Sequence, residues 1–269
     1  MKSRMTAFFI FLSITVFGQG WSTMGGRSMS MANASVTLKD VWGYHNNPGV
    51  LGTIDQLSIG ISYENRFLLK ELQNQGVAAV IPLKVGVLSV GGQLYGYKQF
   101  RSYNSGLGYS MKLSENFFAG VQMNYQGLRF AENYGSKNTI TAAAGVYANI
   151  TEDWTLGMSI YNLGRSKLSD FQDDRFSSVM RLGTSYRFSD KVLVALEAEK
   201  DIEYDVRVKT GIEYQLIDDF YLRGGVATSP IEITFGAGYK FKFIQLSLGS
   251  AYHQTLGWSP HFSIVYQGK

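Results

Sequence analysis

From Asp55 onward the chain alternates apolar and polar residues with period two, in short stretches separated by turn-forming residues. Leu57, Ile59, Ile61 and Tyr63 fall on one side, with Ser58, Gly60, Ser62, Glu64 and Arg66 on the other. The same division runs through 192–199 and 206–215. It is longest where Ile231, Ile233, Phe235, Ala237, Tyr239, Phe241 and Phe243 oppose Glu232, Thr234, Gly236, Gly238, Lys240 and Lys242. A helical period of 3.6 would scatter these residues around an axis, so the elements are strands. Dividing 55–269 at its turn signals predicts about fourteen strands of about 15 residues each with their connections. That allotment suits a membrane strand of about 9–11 residues plus a loop.

The predicted connections alternate in length. Lys112–Asn116, Asn149–Asp153, Phe188–Lys191 and Leu216–Asp219 are short, whereas Tyr97–Ser105, Arg129–Asn138 and Asn162–Phe176 are longer. Tight turns on one side and longer loops on the other are the plan of an outer-membrane barrel. A soluble β-sandwich also has many alternating strands, but its polar face should be rich in charge. Here that face carries Gly, Ser, Thr, Gln and Tyr, and Trp154, Tyr186, Phe220 and Phe262 recur near predicted strand ends, where interface girdles sit. The predicted fold class is therefore all-β, a transmembrane antiparallel up-and-down barrel spanning residues 55–269.

Composition agrees with a surface that is not mostly in water. Only 17% of residues are charged, against roughly 25% in soluble domains, while 45% are hydrophobic. There are 30 glycines and no cysteine, which excludes disulfide frameworks, thiolate metal sites and Cys nucleophiles. Lys2 and Arg4, the apolar run Ala7–Phe17 and the small Gly18 read as a secretory signal peptide over residues 1–18. That run is too short to span a bilayer, and no later apolar run has helix length. Without Lys2 and Arg4 the formal charge of +4 falls to +2, so the balance makes no case for nucleic acid.

Residues with chemistry would project into the lumen. A turn around Glu203 sets Glu199 opposite Arg207 and Glu197 opposite Lys209, and a turn near Asp218 sets Glu213 opposite Arg223. Opposite charges facing across strands contribute roughly 0.2–1 kcal/mol each. Such a ladder is either a self-neutralised wall or a charged constriction that selects solutes. His253 and His261 share inward parity about the turn at Leu256–Ser259, but two imidazoles without a third ligand make a weak metal site, and His45 stands alone. No catalytic constellation or phosphate-binding loop is visible, so neither an enzyme nor a cofactor is expected. The sequons at Asn33 and Asn149 carry no weight.

Residues 19–54 do not alternate. They are rich in small residues and Met, and Asn47-Pro48-Gly49 makes a turn before the strands begin. Small and thioether side chains suit packing in a confined lumen, so this segment reads as a plug or hatch, with Arg27, Met29, Met31, Asn33, Trp42, Asn46, Asn47 and Pro48 as its candidate residues. The competing reading is a mobile periplasmic tail. The run Gly25-Gly26-Arg27-Ser28-Met29-Ser30-Met31-Ala32-Asn33-Ala34-Ser35-Val36-Thr37-Leu38, followed by Asn46-Asn47-Pro48-Gly49-Val50-Leu51, resembles the opening of the FadL-like (OmpP1/FadL) superfamily, particularly its PorV/PorQ branch. Those proteins typically read Gly-Ala-Arg-x-x-x-Met-Gly-x-Ala and then Asn-Pro-Ala-Gly-Leu, so Gly49 here stands in place of the usual Ala.

The resemblance implies an outer-membrane barrel of a Gram-negative bacterium, in contact with outer-membrane lipid, and two different functions. A PorV/PorQ-like role would make the protein an accessory or attachment component of type IX secretion, with secretion-machinery proteins or secreted C-terminal domains as partners. A FadL-type role would make it a passive channel for small hydrophobic molecules, gated by the N-terminal segment. The inward positions offer Glu, Arg, Lys, Gln and Ser more than aliphatics, which weighs against a greasy channel. The secretion role is therefore the main expectation and the channel the alternative.

Overall fold

The computed structural model describes residues 22–130, 135–167 and 175–268, so the expected signal peptide lies outside the described residues. Fourteen antiparallel strands close into a barrel, each paired with its chain neighbours and β1 with β14. They are β1 (Ser58–Asn65), β2 (Gln73–Pro82), β3 (Val87–Gly96), β4 (Phe100–Lys112), β5 (Phe117–Phe130), β6 (Ser136–Asn149) and β7 (Trp154–Tyr161). The second half comprises β8 (Val179–Ser189), β9 (Val192–Asp201), β10 (Arg207–Ile217), β11 (Phe220–Ala227), β12 (Glu232–Phe241), β13 (Ile244–His253) and β14 (Gly257–Gln267). Closure leaves no sheet edge, which a strand protein needs where no water can satisfy the backbone. Among the described residues no helix is long and apolar enough to cross a membrane.

The period-two pattern sets the two faces. In β1, Ile59, Ile61 and Tyr63 are exposed outward while Ser58, Ser62 and Glu64 are buried inward. In β10, Val208, Ile212 and Tyr214 point out while Lys209 and Glu213 point in. Inside-out polarity of this kind belongs to a barrel bathed in lipid. Six connections at one end, beside the start of β1 and the end of β14, are only two to four residues long. The opposite end carries the longer 66–72 and 162–178 connections.

Several expectations need correction. Tyr97–Ser105 is not a long loop: β4 begins at Phe100, and Arg101, Ser102, Tyr103 and Asn104 already pair with β3. Its outward residues there are Arg101 and Tyr103, polar enough to hide the strand. Phe262 sits mid-strand, opposite Tyr63 and Leu248, and not at an interface, whereas Trp154 and Tyr186 do pair at the tight-turn end. Ile231 precedes β12 and Phe243 lies in the following turn, so that strand carries five of the seven alternating residues. Parts of the predicted Arg129–Asn138 and Asn162–Phe176 loops fall outside the described residues.

Inside the barrel lie residues 22–54. They form two short helices, α1 (Gly26–Ser30) and α2 (Gly43–Asn46), and a 3₁₀ turn over Pro48–Thr53. The Asn47 side chain starts that turn by accepting from Gly49 N–H at 2.9 Å, with Pro48 at its first position, where no amide hydrogen is needed. The main apolar cluster sits between this segment and the wall: Met24, Val41, Trp42, Tyr44 and Leu51 against Ala78, Val80, Ala143, Tyr161 and Val265.

Candidate functional site in the barrel lumen

Besides that apolar cluster, the lumen segment is fastened by polar contacts to strands far away in sequence. Arg27 places its guanidinium on Glu213 of β10, with Nε and Nη2 donating at 2.8 and 2.7 Å, and lies 3.8 Å from Asp40. Glu213 also accepts from Arg223 of β11 at 2.6 Å, so one carboxylate joins the segment to the wall and two wall strands to each other. The amides of Ser35 and Val36 donate to Glu197 of β9 at 2.7 and 2.8 Å. Hydrogen bonds of this kind, to a charged partner, are the strong class.

The wall charges connect further. Lys209 bonds Glu197 at 3.1 Å and Glu199 at 2.7 Å, and Arg181 of β8 bonds Glu199 at 2.7 Å. The register is as read from the sequence, with Glu199 opposite Arg207, Glu197 opposite Lys209 and Glu213 opposite Arg223. The Glu199–Arg207 ion pair does not form: Arg207 turns to Glu232 at 3.3 Å, leaving Glu199 to Lys209 and Arg181. Arg181 and Asp40 were not singled out from sequence. The inward parity of Arg181, shared with Val179 and Ser185, was the available signal.

Other candidates of the segment lie along the same path. Met29 and Met31 are buried, and Ala32 and Asn33 both adopt left-handed φ, at 53° and 59°. For alanine that conformation costs about 1–2 kcal/mol. It is held by Ala32 N–H donating to Thr234 Oγ1 at 2.9 Å, while Thr234 Oγ1 donates to Ser30 C=O at 2.9 Å. Asn33 C=O faces Lys209 Nζ at 3.5 Å. Trp42 is buried beside Gly25 and Gly60, and the Asn46 side chain accepts from Met24 N–H at 3.1 Å. Asn47 bridges Val36 C=O at 2.7 Å and Val146 C=O on β6 at 3.0 Å, while Pro48 C=O accepts from Ser110 of β4 at 2.7 Å.

Glycine makes room for this path. A Cβ on Gly145 would lie 2.0 Å from Asn47 Oδ1, one on Gly211 2.5 Å from Met31, and one on Gly236 2.0 Å from Ser30 Oγ. Comparable inward glycines face the segment from β1, β2, β3, β5, β7, β8, β11 and β13, so they ring most of the inner wall. Beside Tyr44, Gln122, Tyr161 and Arg181 only about 10 Å³ remains open, room for roughly one water.

The histidines do not meet. His253 pairs with Gly257 across a turn at 254–256, whereas His261 pairs with Gly249, deeper in the wall. The turn is centred earlier than the sequence suggested, which separates the two rings. His261 Nε2 lies 3.1 Å from Ser30 Oγ, and His45 Nε2 lies 3.1 Å from Val77 C=O. Among the described residues no group of three His, Asp or Glu could hold a metal. At the tight-turn mouth Lys39 stands over the Tyr147 ring at 5.2 Å, and burial and then the nearby Arg187 hold its ammonium below the usual range.

No family model matches the sequence, and no curated protein matches it either. Solved structures do. The toluene transporter TbuX of Ralstonia pickettii matches over 93% of this chain and 99% of its own, at 13% identity and a TM-score of 0.64. The two share a fold. The toluene transporter TodX of Pseudomonas putida covers 93% of this chain and 99% of its own at 12% identity and a TM-score of 0.66. A FadL homologue of Pseudomonas aeruginosa gives 93%, 98%, 12% and 0.62 in the same order. At such identities the likeness is one of fold.

Proposed function

We propose that this protein is a FadL-type passive channel of the outer membrane, in which residues 22–54 obstruct the lumen and must move for a small molecule to pass. The observation that carries the reading is the mode of attachment: charged and amide contacts at Glu213, Glu197 and Ser110 hold a segment that no strand incorporates. Contacts that water can replace suit an obstruction that moves. The likeness in fold to transporters of toluene supports the channel over the secretion role expected first. On this reading the tight turns face the periplasm and the longer loops the outside.

The cargo most consistent with those neighbours is a small hydrophobic molecule. The buried inward residues Asn104, Gln126, Thr141 and Arg181 make the resting lumen polar, so an apolar cargo requires the segment's own apolar residues, Trp42, Tyr44 and Leu51, to line its way. The test is single-channel recording in planar bilayers with and without residues 25–51. A rise in conductance on deletion, with the barrel still heat-modifiable on gels, supports the reading; unchanged conductance overturns it. Affinity purification from the native envelope addresses the secretion role, because recovery of secretion-machinery components would restore it.

A further inference from the structure

We propose that Arg101 and Arg129, with Lys98, form a site on the outward wall for the phosphate groups of outer-leaflet lipid. Arg101 of β4 and Arg129 of β5 stand directly opposite each other in the register. Both project outward, on the side of Leu107, Val121 and Met123, because the alternating Ser102, Asn104, Gln126 and Leu128 are buried inward. Like charges directly opposite destabilise a strand pair. Among the described residues none of the three basic side chains makes an ion pair, and no described carboxylate offsets the repulsion.

Height along the strand identifies the occupant. Arg101 lies two residues beyond Tyr103, whose ring is 6.2 Å from that of Tyr125, and two residues of strand span about 6–7 Å. Tyrosines at that level mark the border of the hydrocarbon, so the guanidinium groups reach the headgroup layer. Lys98, Arg101 and Arg129 line an open cleft of about 700 Å³ with Gln99 and Ser136, and no acidic side chain is among its described lining. A guanidinium fork matches two oxygens of a phosphate, and two forks side by side suit a multiply phosphorylated lipid. The assignment of the leaflet rests on the outer-membrane orientation proposed above; the site itself rests on the wall.

The full-length protein in detergent micelles is titrated with bisphosphorylated lipid A and with the same lipid enzymatically dephosphorylated, binding being read by native mass spectrometry. Wild type should prefer the phosphorylated form, and Arg101→Gln/Arg129→Gln should bind it at least tenfold more weakly. Lys84→Gln/Lys191→Gln, which removes two exposed charges at the tight-turn end, should bind as wild type does. Should the double variant fail to fold, judged by heat-modifiable mobility, Arg129→Gln alone should still weaken binding at least threefold. Undiminished binding by the arginine variants, an equal loss in the lysine pair, or displacement of the lipid by equimolar inorganic phosphate would each overturn the site. Membrane fractionation reports separately on residence in the outer membrane.

Discussion

Replacing Arg27 by Met should loosen the lumen segment and leave the wall intact. Arg27 contributes two charge-assisted hydrogen bonds to Glu213, both short and both mostly shielded from water. Hydrogen bonds to charged groups are worth about 1.5–3 kcal/mol each. Glu213 keeps Arg223 at 2.6 Å in the variant, and Asp40, whose ion pair to Arg27 is long at 3.8 Å, keeps the Trp42 amide at 2.9 Å, so the cost stays below the about 3–5 kcal/mol of a broken buried pair. Water replaces part of what is lost once the segment lifts, which leaves a net of about 2 kcal/mol, or roughly thirtyfold in the undocked population at 1.36 kcal/mol per decade. Planar-bilayer recordings at fixed salt should show open time increased by about that factor. Arg223→Met is the counterpart, because it spares the Arg27–Glu213 contact and should leave gating near wild type. Equal effects from the two substitutions, or none from Arg27→Met, would refute the view that Glu213 serves as the segment's anchor.

Other outcomes follow from the same geometry. Since the chain has no cysteine, Ser35→Cys is a clean reporter; fully buried, it should resist a maleimide in the otherwise native protein and react at least tenfold faster when combined with Arg27→Met. Gly145→Ala sets a methyl 2.0 Å from Asn47 Oδ1 and should raise conductance while heat-modifiable mobility persists, whereas Gly224→Ala, whose nearest neighbour is 3.7 Å away, should change nothing. Met123→Lys puts a charge on a residue 63% exposed on the outward face of β5 and should lower stability by about 2–4 kcal/mol in reversible folding into liposomes.

The barrel was legible because lipid imposes a strict rule on alternate residues, and Ile59, Ile61, Val208 and Ile212 obey it. The rule fades where strands leave the hydrocarbon. That is why the outer part of β4, with Arg101 and Tyr103 outward, passed for a loop, and why the turn before β14 was placed late enough to bring His253 and His261 together. Charge pairing was legible where a tight turn fixes register, as for Glu213 and Arg223. It failed for Arg207, whose partner Glu232 lies on a strand that no hairpin joins to it. The attachments of Arg27 to Glu213 and of Ser35 to Glu197 span more than 160 residues, and nothing local in the sequence encodes them.

The inward glycines have a consequence for selectivity. Side chains can rotate out of the way of a passing molecule, but a wall of bare backbone cannot. If the segment lifts from Gly145, Gly211 and Gly236 as proposed, the space it vacates is bounded there by main chain, with the charged row of β8 to β11 concentrated on one flank. Such an aperture has a calibre fixed by the strand count and the hydrogen-bonded ladder. On the proposed channel reading it would sort what enters by girth first and by polarity only along one side.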